Sequence, residues 1–534
     1  MKKILRPAVS LLTGFFVLSL AALPPAASAD SVKSDQSDST KSLRNAHKMR
    51  FTQRRPKRAR SKAKNIILFI GDGMGISTVT AARILEGQLR GENGEENFLE
   101  FENLPNVALS KTYNTNQQVP DSAGTMTAMM TGEKSKAGVI SVDRTVTRGD
   151  CASANGHSLR TFLEEAEIAG KSTGVVTTTR LTHATPAATY AHVPERNWED
   201  DHDLPAEAVA NGCKDIARQL IEFPYGNGLE VAMGGGRRNF WPRNEADPED
   251  TTKTGERDDN RNLAEEWVNN YNNADFVWNQ AQFDAVDPAK VDHLLGLFNR
   301  SHMQYEYDRP NDTAGEPSLS QMTAKSIEIL KKNKKGFFLM VEGGRIDHAH
   351  HAGNAFRALT DTIEFSKAVK MTEDMTNDAD TLIIVTADHS HVFTMGGYPT
   401  RGNPILGKVI GNDSSGNPEP SYKLAKDGMP FTTLGYQNGR GFANLATGGD
   451  THYGVPINTG RVTDLTNIDT EGQGFHQEAL VPLNSETHAG EDVAIYSGGP
   501  GSRMFHGVQE QTIIYDVMEK AGFTNSSAHR AERE

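Results

Sequence analysis

The run Asn65-Ile66-Ile67-Leu68-Phe69-Ile70-Gly71-Asp72-Gly73-Met74-Gly75 reads as a buried strand that ends in a glycine-rich turn. A continuous apolar run closed by glycine is a strand signature, and Thr78 to Leu85 then begins a helical pattern. Strand, turn and helix suggest a dinucleotide-binding unit, but the third glycine is misplaced for G-x-G-x-x-G. Asp72 also puts negative charge where a pyrophosphate would lie. A cation is the better occupant.

The same grammar recurs along the chain. Lys171–Thr179 is a strand that runs into Arg180-Leu181-Thr182-His183-Ala184-Thr185. Gly336–Val341 is another, ending at Glu342, and Thr381–Thr386 is a third, ending at Ala387-Asp388-His389. Helical stretches such as Ser158–Ala169 and Gln321–Lys331 lie between them. Alternating strands and helices predict an α/β fold, a three-layer αβα sandwich around a mainly parallel central sheet. Ligands of such sheets bind beyond the carboxyl ends of the strands, where the polar residues of this chain cluster. From Gly396 to about Leu480, Gly, Asn, Pro and Thr are frequent and helical periodicity is lost, so a loop-rich, crown-like insertion is expected over about 396–480. Residues 242–262 look similar. Strand character returns at Glu491–Tyr496 and helical character at Gln509–Ala521.

The N-terminus carries Lys2, Lys3 and Arg6, an apolar run from Ala8 to Leu23 and the small-residue site Ala27-Ser28-Ala29, which predicts a signal peptide over 1–29. A membrane anchor is the alternative, but the run is short for one and a cleavage site follows. Its removal takes away three positive charges and no acid, moving the net charge from −13 to −16, which suits a soluble protein and disfavours nucleic acid as a partner. Residues 30–64 form a polar arm, basic from Arg54 to Lys64; 65–525 is the folded unit; 526–534 is a polar tail with no terminal membrane helix or lipid-anchor signal. A secreted or periplasmic location follows. The two cysteines, Cys151 and Cys213, both lie in the exported part and are expected to pair there.

Four places carry chemistry-bearing residues. In Val119-Pro120-Asp121-Ser122-Ala123-Gly124-Thr125 a serine follows a turn signal and opens a helical run of small residues. A helix N-terminus suits phosphate, although the same pattern serves as an ordinary cap. Asp347 and His351 are four apart in Asp347-His348-Ala349-His350-His351, which puts carboxylate and imidazole on one helical face and suits zinc. Asp388-His389 stands at a strand end, where both side chains can turn to one ligand. Glu342 abuts an apolar strand, a costly position for a carboxylate unless it is paired or metal-bound.

Together these segments resemble the alkaline phosphatases, specifically their secreted, vertebrate-like branch, from about Asn65 to Ala521. The resemblance rests on Gly71–Gly75, Val119–Gly124, His183-Ala184-Thr185-Pro186-Ala187, Glu342-Gly343-Gly344-Arg345-Ile346-Asp347-His348, Thr386–His391 and Thr487-His488-Ala489-Gly490-Glu491-Asp492. It implies that Ser122 is the nucleophile, that Asp347, His351 and His488 hold one zinc, and that Asp72, Asp388 and His389 hold a second. It further implies a third ion, usually magnesium, on Asp72, Thr185 and Glu342, and an arginine, here Arg196, that grips phosphate. Two in-line displacements, by Ser122 and then by water, would release inorganic phosphate from small phosphate monoesters at alkaline pH. His183 and His348 stand where family branches differ and would tune the third ion and the phosphate from the side. A homodimer is also implied. A calcium site could use Glu249, the Phe298 carbonyl and Glu316, but Asn299 replaces an expected acid. Met126 departs from the small or β-branched residues common at its position. The competing readings are a phosphodiesterase, sulfatase or phosphomutase of the same superfamily, and a non-catalytic secreted metal-binding protein. Ser122 with Thr185, Glu342 and Arg196 favours the monoesterase.

Overall fold

A computed structural model describes residues 62–445 and 449–523. The signal peptide at 1–29, the arm up to residue 61 and the tail at 526–534 lie outside the described residues. The strands of the main sheet, in chain order, are β1 (Asn65–Gly71), β2 (Asn106–Lys111), β3 (Ser172–Arg180), β4 (Val231–Gly235), β5 (Ala274–Val277), β6 (His293–Leu297), β7 (Phe337–Gly343) and β8 (Thr381–Ala387), followed by Val493–Gly498 and Val508–Glu510. Across the sheet the order is Val508–Glu510, β2, Val493–Gly498, β8, β1, β7, β3, β4, β6, β5. From β8 to β5 every neighbouring pair is parallel. Val493–Gly498 runs against both its neighbours.

Alternation along the central strands explains the layers. Ile66, Leu68 and Ile70 of β1 enter one core, with Met126, Met129, Phe162, Val517 and Met518. Ile67 and Phe69 enter the other, with Val79, Leu85, Met322, Leu359 and Phe365. A strand apolar on both faces has to be covered on both, and helices do so here. The helices Ser122–Thr131, Phe162–Ile168 and Ile513–Gly522 lie on the first face. Ile76–Leu89, Leu319–Leu330 and Ala355–Met375 lie on the second. The αβα sandwich is the observed architecture.

Local chemistry sets several boundaries away from where periodicity puts them. The helix expected from Ser158 starts at Phe162, because Thr161 caps it and Glu164 closes a capping box. The pattern after Asp347 is two helices rather than one. Arg345–His351 stops before Gly353, which has φ 69°, and Asn354 caps Ala355–Met375. The stretch from Gln509, helical throughout by its pattern, begins as part of the edge strand paired with β2 and becomes helical only at Ile513. Glu342 lies inside β7 rather than after it, because parallel pairing continues to Glu342↔Ile70 and Glu342↔Thr177.

Within 396–480 the described residues carry only short pieces, including Leu434–Gly439, Ala443–Asn444 and Phe475–His476. Among the described residues there is no helix or strand between Phe240 and Leu263. Cys151 and Cys213 form a disulfide 62 residues apart in sequence. Closing a loop of that size contributes on the order of 4 kcal/mol in the chain-entropy picture. Among the described residues no helix is long and apolar enough to cross a membrane.

Candidate metal centre and nucleophile

Four adjacent strands deliver the site. In the order β8, β1, β7, β3, their carboxyl ends lead to Asp388, to Asp72, to Glu342 and to His183 with Thr185. Gly73 makes the turn after Asp72 possible. It has φ 68°, and a Cβ there would collide with the His391 ring.

Ser122 begins its helix, with Asp121 as the N-cap accepting from the Gly124 N–H. Its Oγ is 3.1 Å from His389 Nε2. Asp121 Oδ2 also holds Arg196 Nη1 at 3.1 Å, and Arg196 Nη2 is 3.3 Å from His183 Nε2. The guanidinium is thus fixed from one side while the serine sits at the positive end of a helix.

Asp347, His351, His391 and His488 bring a carboxylate oxygen and three ring nitrogens into one compact group. His351 Nδ1 is 2.7 Å from the Glu486 carbonyl and His488 Nδ1 is 2.8 Å from the Pro120 carbonyl. A carbonyl only accepts, so each ring carries its proton on Nδ1 and presents a lone pair on Nε2. Those two Nε2 atoms face each other at 3.1 Å, and lie 3.4 Å and 3.3 Å from Asp347 Oδ1. Two lone pairs and a carboxylate at such range repel unless a cation lies among them.

A second group contains Asp72, Asp347 and His389. His389 Nε2 is 3.4 Å from Asp72 Oδ1 and 3.1 Å from Asp388 Oδ2. A third contains Asp72, His183 and Glu342. Glu342 Oε2 accepts from the Thr177 and Thr179 hydroxyls, which leaves Oε1 buried without a partner. Both Asp72 oxygens, Thr185 Oγ1 and His183 Nδ1 are likewise buried and unpartnered. Buried polar atoms without partners cost about 1–3 kcal/mol each, so a cluster of them marks a ligand site.

The electrostatics agree. Burial, then the charges of Asp388, Asp347 and Glu342, push the Asp72 carboxyl well above its usual range. Burial raises Asp388 and takes Glu342 up to about 7. Burial would raise Asp347 too, but the histidines around it, His351 first, and the hydrogen bond from His391 Nε2 bring it well below the carboxylate range. Burial and then the cations Arg196 and Arg180 hold His183 neutral, well below the usual imidazole range. Crowded carboxylates and neutral imidazoles with free Nε2 atoms are the donor set that divalent cations require, so the residues fit the metals.

Of the residues expected at the main site, Asp72, His183, Glu342, Asp347, His351, His389 and His488 fall within these three groups, and Ser122, Asp388 and Arg196 contact members of them. Three neighbours have no role in the sequence reading. His391 Nε2 is 2.8 Å from Asp347 Oδ1, and Glu486 Oε2 is 2.6 Å from His391 Nδ1. His391 has a local signal, since it stands two residues after His389 and can share a strand face with it. His302 packs edge-on to His348, ring centroids 4.2 Å apart, with no signal in its surroundings. The expected calcium residues lie elsewhere. Glu249 accepts from Arg237 at 2.8 Å, the Phe298 side chain is buried, and Glu316 accepts from Asn299 at 2.7 Å. Burial takes Glu316 up to about 8.

Comparison with known proteins identifies the family. The alkaline phosphatase family model matches residues 63–524. The tissue-nonspecific isozyme of alkaline phosphatase from Homo sapiens is 45% identical over 465 residues, 86% of this chain and 83% of its own. The alkaline phosphatase of Gadus morhua is 44% identical over 468 residues, 86% of this chain and 92% of its own. Among solved structures, the Thermus thermophilus alkaline phosphatase is alike in fold, with a TM-score of 0.59 at 24% identity over 88% of this chain and 93% of its own. Matched along nearly its whole folded length, the chain belongs to the alkaline phosphatase family and is an enzyme that hydrolyses phosphate monoesters.

Proposed function

We propose that hydrolysis runs through a phosphoserine on Ser122, in a site holding two zinc ions and one magnesium ion. The observation that carries this reading is the convergence of His351 Nε2, His488 Nε2 and Asp347 Oδ1 within 3.4 Å, beside a serine hydroxyl 3.1 Å from His389 Nε2. Asp347, His351 and His488 would hold one zinc, Asp72, Asp388 and His389 the other, and Asp72, Thr185 and Glu342 the magnesium. Bound cations supply Lewis acidity, drawing charge from the phosphate oxygens and easing loss of the serine proton.

The chain's own groups do the rest. Arg196, anchored by Asp121, takes two phosphate oxygens in its planar fork and aligns phosphorus with Ser122. Ser122 loses its proton, its oxygen bonds to phosphorus, and the ester oxygen leaves and is protonated to the alcohol. Water then adds to phosphorus on the side opposite Ser122 and gives up a proton, the Ser122–phosphorus bond breaks, the serine oxygen takes up a proton, and inorganic phosphate departs. Two inversions give net retention. Helix N–H groups around Ser122 favour the anion throughout.

The test is a comparison of an aryl phosphate, its diester and its sulfate at alkaline pH. The monoester should be preferred by orders of magnitude. A preference for diester or sulfate removes the reading.

His183 is the residue we assign to tuning the third ion. Its imidazole shares a donor group with Asp72 and Glu342 and touches Arg196. A neutral nitrogen adds no charge for a hard cation, so His183→Asp should strengthen magnesium dependence while both zincs stay. Superimposable magnesium titrations for wild type and variant would refute this, as would loss of both zincs.

A homodimer and export by the predicted signal peptide complete the reading. The insertion exposes Tyr398, Leu424, Val462 and Leu480, with Leu480 74% exposed, which supports a second copy seated there. Leu480→Lys with Val462→Lys should shift light scattering towards monomer. A monomeric wild type at micromolar concentration would argue against the dimer. Calcium at Glu249, Phe298 and Glu316 would have to displace Arg237, which already neutralises Glu249.

A further inference from the structure

We propose that Glu486 is a positioning residue for the metal centre of Asp347, His351 and His488. It makes His351 a ligand and makes its neighbour His391 a strut. The inference rests on the metal centre assigned above and concerns a residue outside its ligand set.

Glu486 is 2% exposed and engages the centre through both its backbone and its side chain. Its N–H donates to the His351 carbonyl at 3.1 Å. Its own carbonyl accepts from His351 Nδ1 at 2.7 Å, which sets the His351 tautomer and points the Nε2 lone pair inward. One carboxylate oxygen, Oε2, accepts from His391 Nδ1 at 2.6 Å. The other, Oε1, accepts from the Val392 N–H at 2.9 Å. His391 then reaches Asp347 Oδ1 with Nε2 at 2.8 Å. Both nitrogens of His391 are therefore engaged, so it braces Asp347 and has no lone pair to offer a metal. His351 has one nitrogen engaged and the other free.

The backbone carries the same linkage. The two-residue strand His488–Ala489 pairs with Ser390–His391, in the register His488↔His391. Glu486 thus ties together the helix Arg345–His351, which holds Asp347 and His351, and the pair of short strands that hold His391 and His488. Three separate segments must meet to within a fraction of an ångström for a tetrahedral site, and no other residue described above contacts two of them through four hydrogen bonds.

The substitution Glu486→Gln separates positioning from packing. The amide keeps the shape but has one acceptor and one donor end, so either Val392 N–H or His391 Nδ1 loses its acceptor. Outer partners of metal ligands typically matter by roughly 10- to 100-fold in metal affinity.

The experiment titrates zinc into the metal-stripped full-length enzyme against a chromophoric chelator, with melting of the metal-free proteins in parallel. The set is wild type, Glu486→Gln, Glu486→Asp, His351→Ala and the control Glu164→Gln. The control alters a buried carboxylate that also holds a histidine, His192, at 2.7 Å, away from the site. Glu486→Gln should weaken one zinc by roughly 10- to 100-fold while its metal-free form melts like the metal-free wild type. Glu486→Asp, which keeps both acceptors one methylene shorter, should fall in between and serves if the glutamine variant does not fold. Glu164→Gln should bind zinc as wild type. Affinity within twofold of wild type for Glu486→Gln, with His351→Ala defective, overturns the proposal and leaves the metal centre standing. Full zinc binding by His351→Ala overturns the metal centre and the proposal with it. Weaker zinc matched by an equal loss of metal-free stability also overturns it, since Glu486 would then be merely structural.

Discussion

Replacing Ser122 by alanine should lower hydrolysis of a phosphate monoester by on the order of a thousandfold or more, without changing the fold. The residue is 3% exposed and its hydroxyl lies beside Nε2 of His389, a member of the second donor group. The cap of its helix is Asp121, not the serine itself, so alanine keeps both the cap and the Cβ that packs beneath it. What disappears is the oxygen that bonds to phosphorus. A direct check is acid quenching after exposure to labelled phosphate. The wild type should carry label on Ser122, and Ser122→Ala should carry none. A variant that turns over at anything near the wild-type rate would show that water attacks phosphorus directly and that the covalent intermediate does not exist.

Stripping the metals should have an effect of similar size on rate, about 4 kcal/mol or a thousandfold, and a distinctive effect on stability. In the metal-free protein, burial pushes Glu342 from the usual 4.5 up to about 7, and Asp72 and Asp388 shift the same way. A carboxyl raised in the folded state binds its proton there while the unfolded chain has released it. Stability contributed by that proton is intact below about pH 4.5 and is lost as pH rises to about 7. For Glu342 alone the swing is on the order of 3 kcal/mol. Bound cations would hold the same carboxylates deprotonated and abolish the swing. Thermal melting at pH 5 and pH 8, with and without chelator, separates the cases. The chelated protein should lose stability between the two pH values relative to the untreated one. Equal pH responses would mean that these carboxylates do not face a metal, and activity unchanged by chelator followed by dialysis would remove the metals from the mechanism.

Much of the fold and of the site is legible in the order of the amino acids. The strand of Asn65–Ile70 and its partners stand out because a strand buried on both faces must be apolar without alternation. Glu342, Asp388 and Asp72 stand out because carboxylates beside such strands need a compensating charge. Asp347 and His351 are readable as a pair because helical spacing of four is a local property. Glu486 and His302 are not readable. Glu486 stands among polar neighbours, and nothing local says that its carboxylate ends up 2.6 Å from His391, 95 residues earlier. The end of the helix at His351 is also hidden, because a glycine at positive φ and an asparagine cap together outweigh a continuous helical pattern.

By itself the sequence determined the class of fold and the residue types available for chemistry, since both follow from local hydrophobic pattern, charge and spacing. The tertiary structure decided which of those residues meet. Ser122 and His389 are 267 residues apart in the chain, yet the serine oxygen and the imidazole nitrogen lie within hydrogen-bonding reach. Strands β8, β1, β7 and β3 are joined by long crossovers, and their parallel register aligns Ile70 with both Glu342 and Thr386, and Thr177 with Glu342. That alignment is set by backbone hydrogen bonds across the sheet and by helices filling both of its faces, interactions between segments that no local pattern encodes.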